Sequence, residues 1–293
     1  MNKEEIASYI KAGEISREIV KYARELIKPK MPLVEIANKI EGKILELGAQ
    51  PAFPCNLSIN EIAAHYTPLP EDETLAQGLL KIDLGVSVQG YISDTAFSLD
   101  LENSKDNKEI IKAAETALEQ AIKTLKPGIE IREIGKAIHS AITSNKLSPI
   151  INLSGHSLDK DQIHAGFTIP NYDNGNSASL KQGAYAVEPF ATNGEGRVYE
   201  GKPSSIYMLK TKKGIRDQLA RKILNFIEKN YKTRPFCTRW LHKEFGSRVS
   251  LALSLLEQQG ILYQFPQLIE KARGKVAQAE HSFLVTDKIQ VIS

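Results

Sequence analysis

The stretches Leu79-Leu80-Lys81-Ile82-Asp83-Leu84-Gly85-Val86 and Tyr91-Ile92-Ser93-Asp94-Thr95-Ala96-Phe97-Ser98-Leu99 read as the two strands of a hairpin. Each carries one aspartate among residues that belong in a core: Leu80, Ile82, Leu84 and Phe97. Aspartate is disfavoured in strand interiors, so both positions call for a reason. A turn on Val88-Gln89 places Asp83 directly opposite Asp94 on one face, with Cβ atoms about 4.5–5.5 Å apart. Two carboxylates that close repel unless a cation sits between them or one is protonated.

The same signature returns downstream. Glu188 follows Ala184-Tyr185-Ala186-Val187 and precedes Pro189-Phe190, a carboxylate in a strand expected over residues 184–190. Glu280 stands before His281-Ser282-Phe283-Leu284-Val285, where a strand is expected over residues 282–286. His156 lies in Ser154-Gly155-His156-Ser157, where glycine lets the backbone turn sharply. Any one of these fits a buried polar residue satisfied by hydrogen bonds. Four carboxylates and one imidazole drawn from strands fit something else: hard oxygen ligands with one nitrogen suit a pair of divalent metals about 3.5–4 Å apart.

Helices surround these strands. Apolar spacing of three and four predicts amphipathic helices over residues 3–27 and 33–47, separated by Lys28-Pro29 and closed by Gly48. The construction repeats: Lys28, Pro29, Glu35, Ile36 and Ile40 match Lys126, Pro127, Glu133, Ile134 and Ile138, each 98 positions later. His65 follows the first copy and His164 the second. A repeat of this length predicts two related halves packed together.

The 293 residues suit two domains, or one larger domain with an insertion. The net charge of +3 hides an asymmetry: residues 197–275 hold 17 basic and 6 acidic side chains, leaving −8 for the rest. Within that basic segment, residues 214–230, 241–245 and 249–259 read as helices, followed by a short strand from Gly260, the pattern of a winged helix. No apolar run is long enough to span a membrane, and Met-Asn-Lys-Glu-Glu does not begin a secretory signal, so a cytoplasmic protein is expected. Cys55 and Cys237 are too far apart in sequence to suggest a thiolate metal pair.

Asp83, Asp94, His156, Glu188 and Glu280, in this order and spacing, resemble the metal ligands of the methionine aminopeptidases. The resemblance covers essentially the whole chain and includes Asn56-Leu57-Ser58, the stretch from Glu61 to His65, Val187-Glu188-Pro189-Phe190 and Ala279-Glu280-His281. The insertion between Glu188 and Glu280 resembles type 2 enzymes, and the short N-terminal portion resembles their archaeal members. The resemblance implies an α/β (α+β) "pita-bread" fold of the creatinase/aminopeptidase kind with internal pseudo-twofold symmetry. Residues 1–195 and 272–293 are then the catalytic body and 196–271 an inserted, winged-helix-like subdomain.

It also implies roles. Asp94 and Glu280 bridge two divalent ions (Co, Mn, Fe or Zn), Asp83 serves mainly one, and His156 and Glu188 serve the other. Glu188 also shuttles a proton, while His65 and His164 contact the substrate backbone and the tetrahedral intermediate. Phe53, Ile163 and Phe190, beside His65, line a pocket for a methionine side chain. His139, His242 and His281 are expected to be structural. Expected partners are the N-termini of nascent chains, with the basic insert placing a monomeric enzyme near the ribosome. Two other readings share the fold: an Xaa-Pro aminopeptidase or dipeptidase, and a non-catalytic ribosome- or RNA-associated protein.

Overall fold

The computed structural model describes all 293 residues. The first half runs α1 (Lys3–Leu26), α2 (Leu33–Glu46), β1 (Gln50–Ile59), β2 (Ile62–Ala64), β3 (Leu79–Val88) and β4 (Tyr91–Asp100). The second runs α3 (Lys105–Thr124), α4 (Ile131–Thr143), β5 (Ser148–Pro149), β6 (Ser154–Leu158), β7 (Thr168–Pro170), β8 (Gly183–Val187) and β9 (Phe190–Thr192). Asn2 and Glu5 start α1 with a reciprocal capping box, and Gly48 follows α2 at φ +78°.

The repeat is visible in the backbone. Lys30 and Gly128, at equivalent positions, both take positive φ, +67° and +76°. Each helix pair is then pinned the same way: Lys30 and Leu33 donate to the carbonyls of Ala76 and Thr74, as Gly128 and Ile131 donate to those of Leu180 and Ala178.

An eight-stranded sheet joins the halves in the order β1-β3-β4-β14-β8-β6-β7, with β14 (Glu280–Val285) carrying β15 (Ile289–Val291) as a side branch. The seam is the β4–β14 pairing, Ala96 with Glu280 and Thr95 with His281. One face of each half is covered by helices. Ile19, Ile36 and Ile40 pack on Ile82 and Leu84, while Ile134 and Ile138 pack beneath Val187 and Phe283. Alternation along β3 then turns Asp83 and Gly85 to the uncovered face.

The hairpin register differs from the sequence expectation. The turn falls on Gln89-Gly90, with φ of +55° and +92°, so Asp94 pairs with Gly85 and Asp83 with Ala96. A two-residue hairpin turn with both central residues at positive φ matches strand twist, and glycine adopts it without strain. The slip of two positions keeps both carboxylates on one face.

Residues 198–270 form β10 (Val198–Leu209), α5 (Gln218–Asn230), β11 (Phe236–Cys237), α6 (Thr238–Phe245), α7 (Val249–Gln258) and β12 (Leu262–Glu270). Their four-stranded sheet, β11-β10-β12-β2, uses β2 of the first half as its last strand. The short strand expected at Gly260 is a nine-residue β12, and the twelve-residue β10 has no counterpart in the sequence reading. Gly201, Pro203 and Pro266 obscure both, because proline removes a ladder donor and glycine weakens the strand pattern. The pairing shifts register on either side of the Pro203–Pro266 pair. β13 (Val276–Gln278) completes a small third sheet with β9 and β5. No helix is long and apolar enough to cross a membrane.

Candidate active site

Five elements bring the predicted ligands together: Asp83 from β3, Asp94 from β4, His156 from β6, Glu188 just after β8 and Glu280 at the start of β14. All five line one cavity of about 330 Å³. His156 Nε2 lies 3.6 Å from an oxygen of Asp94 and 3.6 Å from one of Glu188. Asp94, His156 and Glu280 each offer a ligand atom within 4.8 Å of the others. Gln278 closes the set, its Nε2 donating to Asp83 at 3.4 Å and to Glu188 at 3.2 Å.

No lysine or arginine lines this cavity. Burial pushes Asp83 up to about 7, and it pushes Asp94, Glu188 and Glu280 well above the usual carboxylate range, with their mutual repulsion added. Burial also holds His156 down at about 3. Asp83 Oδ1, Asp94 Oδ1, both oxygens of Glu280 and His156 Nδ1 are buried without a hydrogen-bond partner. Unpaired buried acceptors are costly, and four of these atoms are carboxylate oxygens of residues that line one cavity. The donor set fits divalent cations that favour oxygen with some nitrogen, and these residues could hold them.

The two further histidines flank the ligands. His65, at φ +65°, donates from Nδ1 to the Pro266 carbonyl at 3.1 Å and meets the Phe265 ring edge-on. Burial holds it down at about 4, so it is neutral near neutral pH and keeps Nε2 as an acceptor. The His164 ring stands nearly perpendicular to His156 with centroids 4.5 Å apart. Its surroundings lower its pKa, although the ring keeps contact with solvent at the cleft mouth. Phe53, Ile163 and Phe190 all line the same cavity.

Three contributions escaped the sequence reading. Gln278 ends β13, two residues before Glu280 opens β14, and carries no charge to mark it in the sequence. Asn56, quoted in the resemblance but given no role there, pairs with Asp83 across β1 and β3, lines the cavity and leaves Oδ1 without a partner. Phe265 and Leu268 of β12, with Pro235 before β11, supply an apolar wall from residues 198–270. Only the fold reveals that wall, since those residues lie far along the chain from the ligands they face.

A methionine aminopeptidase of Thermococcus kodakarensis is 46% identical over 287 residues, covering 96% of this chain and 97% of that protein. A thermophilic Arx1 superposes with a TM-score of 0.88 at 17% identity, covering 100% of this chain and 91% of that one. A methionine aminopeptidase of Thermotoga maritima superposes with a TM-score of 0.72 at 20% identity, covering 100% and 97%. These two structures share the pita-bread fold. The sequence model of metallopeptidase family M24 matches residues 7–287, nearly the full length, and the chain belongs to that family.

Proposed function

We propose that this chain is a methionine aminopeptidase, removing the N-terminal methionine of peptides and nascent proteins in the cytoplasm, preferentially before a small second residue. The observation that carries this reading is the junction inside one cavity. The wall of Phe53, Ile163, Phe190, Phe265 and Leu268 abuts the five acidic and imidazole side chains. An apolar side chain of methionine's length fills the first part while the adjoining peptide bond lies beside the second. Relatives that are 46% identical over 96% of the chain and named methionine aminopeptidase point the same way.

Asp83, Asp94, His156, Glu188 and Glu280 would hold two divalent ions. When bound, such ions lower the pKa of water and polarise the scissile carbonyl. The chain's own groups do the rest. Glu188 accepts the proton of the attacking water at a carboxylate oxygen and delivers it to the leaving amine. Neutral His65 accepts a substrate N–H at Nε2, and His164 donates to the oxygen that gains charge. Residues 1–195 and 272–293 form the catalytic body, and 196–271 an insert that walls the cleft and carries excess positive charge toward the ribosome. The protein acts as a monomer.

The test is a panel of tripeptides given to the metal-loaded protein: Met-Ala-Ser, Met-Trp-Ser, Leu-Ala-Ser and an Xaa-Pro peptide. Release of methionine from Met-Ala-Ser far faster than any other cleavage is expected. Preferential cleavage of the Xaa-Pro peptide, or silence on all four with metal bound, would overturn the reading.

A further inference from the structure

Between α5 and β11 the chain makes a short crossing, residues 231–235, that ends on Pro235 in the cavity lining. Asp161 and Arg234 meet there, each only 8% exposed, with Arg234 Nε 3.4 Å from Asp161 Oδ1. Lys232 donates to the other Asp161 oxygen at 2.5 Å, and the Thr233 hydroxyl donates to the Asp161 carbonyl at 2.5 Å. Asp161 takes φ +56° and donates its N–H to the carbonyl of Gly90 in the hairpin turn. The remaining arms of Arg234 donate to the carbonyls of Pro51 at 3.2 Å and Asn230 at 2.9 Å.

Each anchor lies within three residues of a cavity wall. Asp161 precedes Ile163 and His164, Pro51 precedes Phe53, and Arg234 is followed by Pro235. Asp161 sits in a closed turn that leads directly into Ile163 and His164, since Asp159 and Gln162 pair through both backbone groups. Arg234 Nε pairs with Asp161 by charge without a hydrogen bond, while the two terminal arms fix the direction of the planar guanidinium on the Pro51 and Asn230 carbonyls. A buried ion pair adds little stability beyond what well-packed apolar residues supply, whereas its geometry is demanding.

We propose that Arg234, through Asp161 and the Pro51 carbonyl, is a positioning residue that sets the width of the pocket for the substrate's first side chain, and so its selectivity for methionine. This inference rests on the aminopeptidase reading. Lys232 stays beside Asp161 when Arg234 is replaced, so the substitution removes geometry without stranding a buried charge.

The experiment is steady-state kinetics on Met-Ala-Ser and Leu-Ala-Ser with Arg234→Met, Asp161→Asn and their combination, beside the exposed control Arg216→Met. Expected are a KM for Met-Ala-Ser raised about tenfold, kcat within about threefold of wild type, and a Met-over-Leu preference cut about tenfold. The double variant should be no worse than the poorer single. A fall in kcat at unchanged KM and preference marks a merely structural pair and overturns the inference. A second readout needs no activity: in histidine-labelled protein, Arg234→Met should shift the NMR resonance of His164, and an unmoved His164 overturns the inference. If wild type itself spares Met-Ala-Ser, the aminopeptidase reading fails separately and the His164 resonance alone decides the pair.

Discussion

The carboxylate of Glu41 on α2 accepts from both terminal nitrogens of Arg239 on α6, each at 2.7 Å, across 198 residues of sequence. Trp240 Nε1 donates to the same carboxylate at 2.7 Å, and the Cys55 backbone N–H donates to it at 3.1 Å. Arg239 spends its remaining donors on Asn38, Thr67 and the Pro68 carbonyl. One buried ion pair thus ties residues 198–270 to α2 and β1, and β1 carries Phe53 and Asn56 into the cavity. Glu41→Gln strands most of that network. We predict a loss of about 3–5 kcal/mol in urea unfolding, with Arg239→Met partly compensating it in the double variant.

Gly85 sits opposite Asp94, and a Cβ there would lie 2.4 Å from Cε1 of Phe53 and 2.8 Å from Cβ of Ala52. Gly85→Ala must push the Phe53 ring toward the cavity it lines. KM for Met-Ala-Ser should rise about tenfold or more, and a peptide with a smaller first residue should lose less. Equal losses on both peptides would show that Phe53 does not bound that pocket.

The ligand carboxylates set a pH signature for the metal-stripped protein. Asp83 is pushed up to about 7 and its three partners well above their usual range, so the folded state binds protons that the unfolded state has released. Stability that these groups supply in acid is lost as pH rises through the folded values. His65 and His156, held down at about 4 and about 3, act oppositely but are neutral in both states above their ordinary 6.5. Lys81, buried and held down at about 7, recovers some stability above that value. Three or more carboxylates outweigh one lysine. The stripped protein should therefore melt lower at about pH 8 than at 6.5, and saturating Mn²⁺ should shrink the difference. Melting that is insensitive to both pH and metal would contradict the convergent-carboxylate description.

The candidate site was legible where chemistry breaks a pattern. Asp83, Asp94 and Glu188 stand out because each interrupts or ends an apolar strand, and the structure places them with His156 and Glu280 around one cavity. The register of the hairpin was less legible, since Val88-Gln89 and Gln89-Gly90 both leave plausible strands. Only the second pair gives glycine one of the two positive-φ positions. Gln278 carries no charge to mark it. β10 and β12 are interrupted by Gly201, Pro203 and Pro266, and their strand character comes from pairing with each other and with β2. Long-range partners such as Glu41 with Arg239, and Asp161 with Arg234, leave no local trace at all.

The central claim is that methionine removal depends on divalent ions held by Asp83, Asp94, His156, Glu188 and Glu280. The most direct measurement titrates Mn²⁺ into metal-stripped wild type and Glu280→Gln by calorimetry while following methionine release from Met-Ala-Ser at each addition. Release should rise with occupancy in wild type and reach its plateau as the sites fill, and Glu280→Gln should bind more weakly with release reduced at least about a hundredfold. Full release from wild type before any metal is bound, or an unimpaired Glu280→Gln, would contradict it.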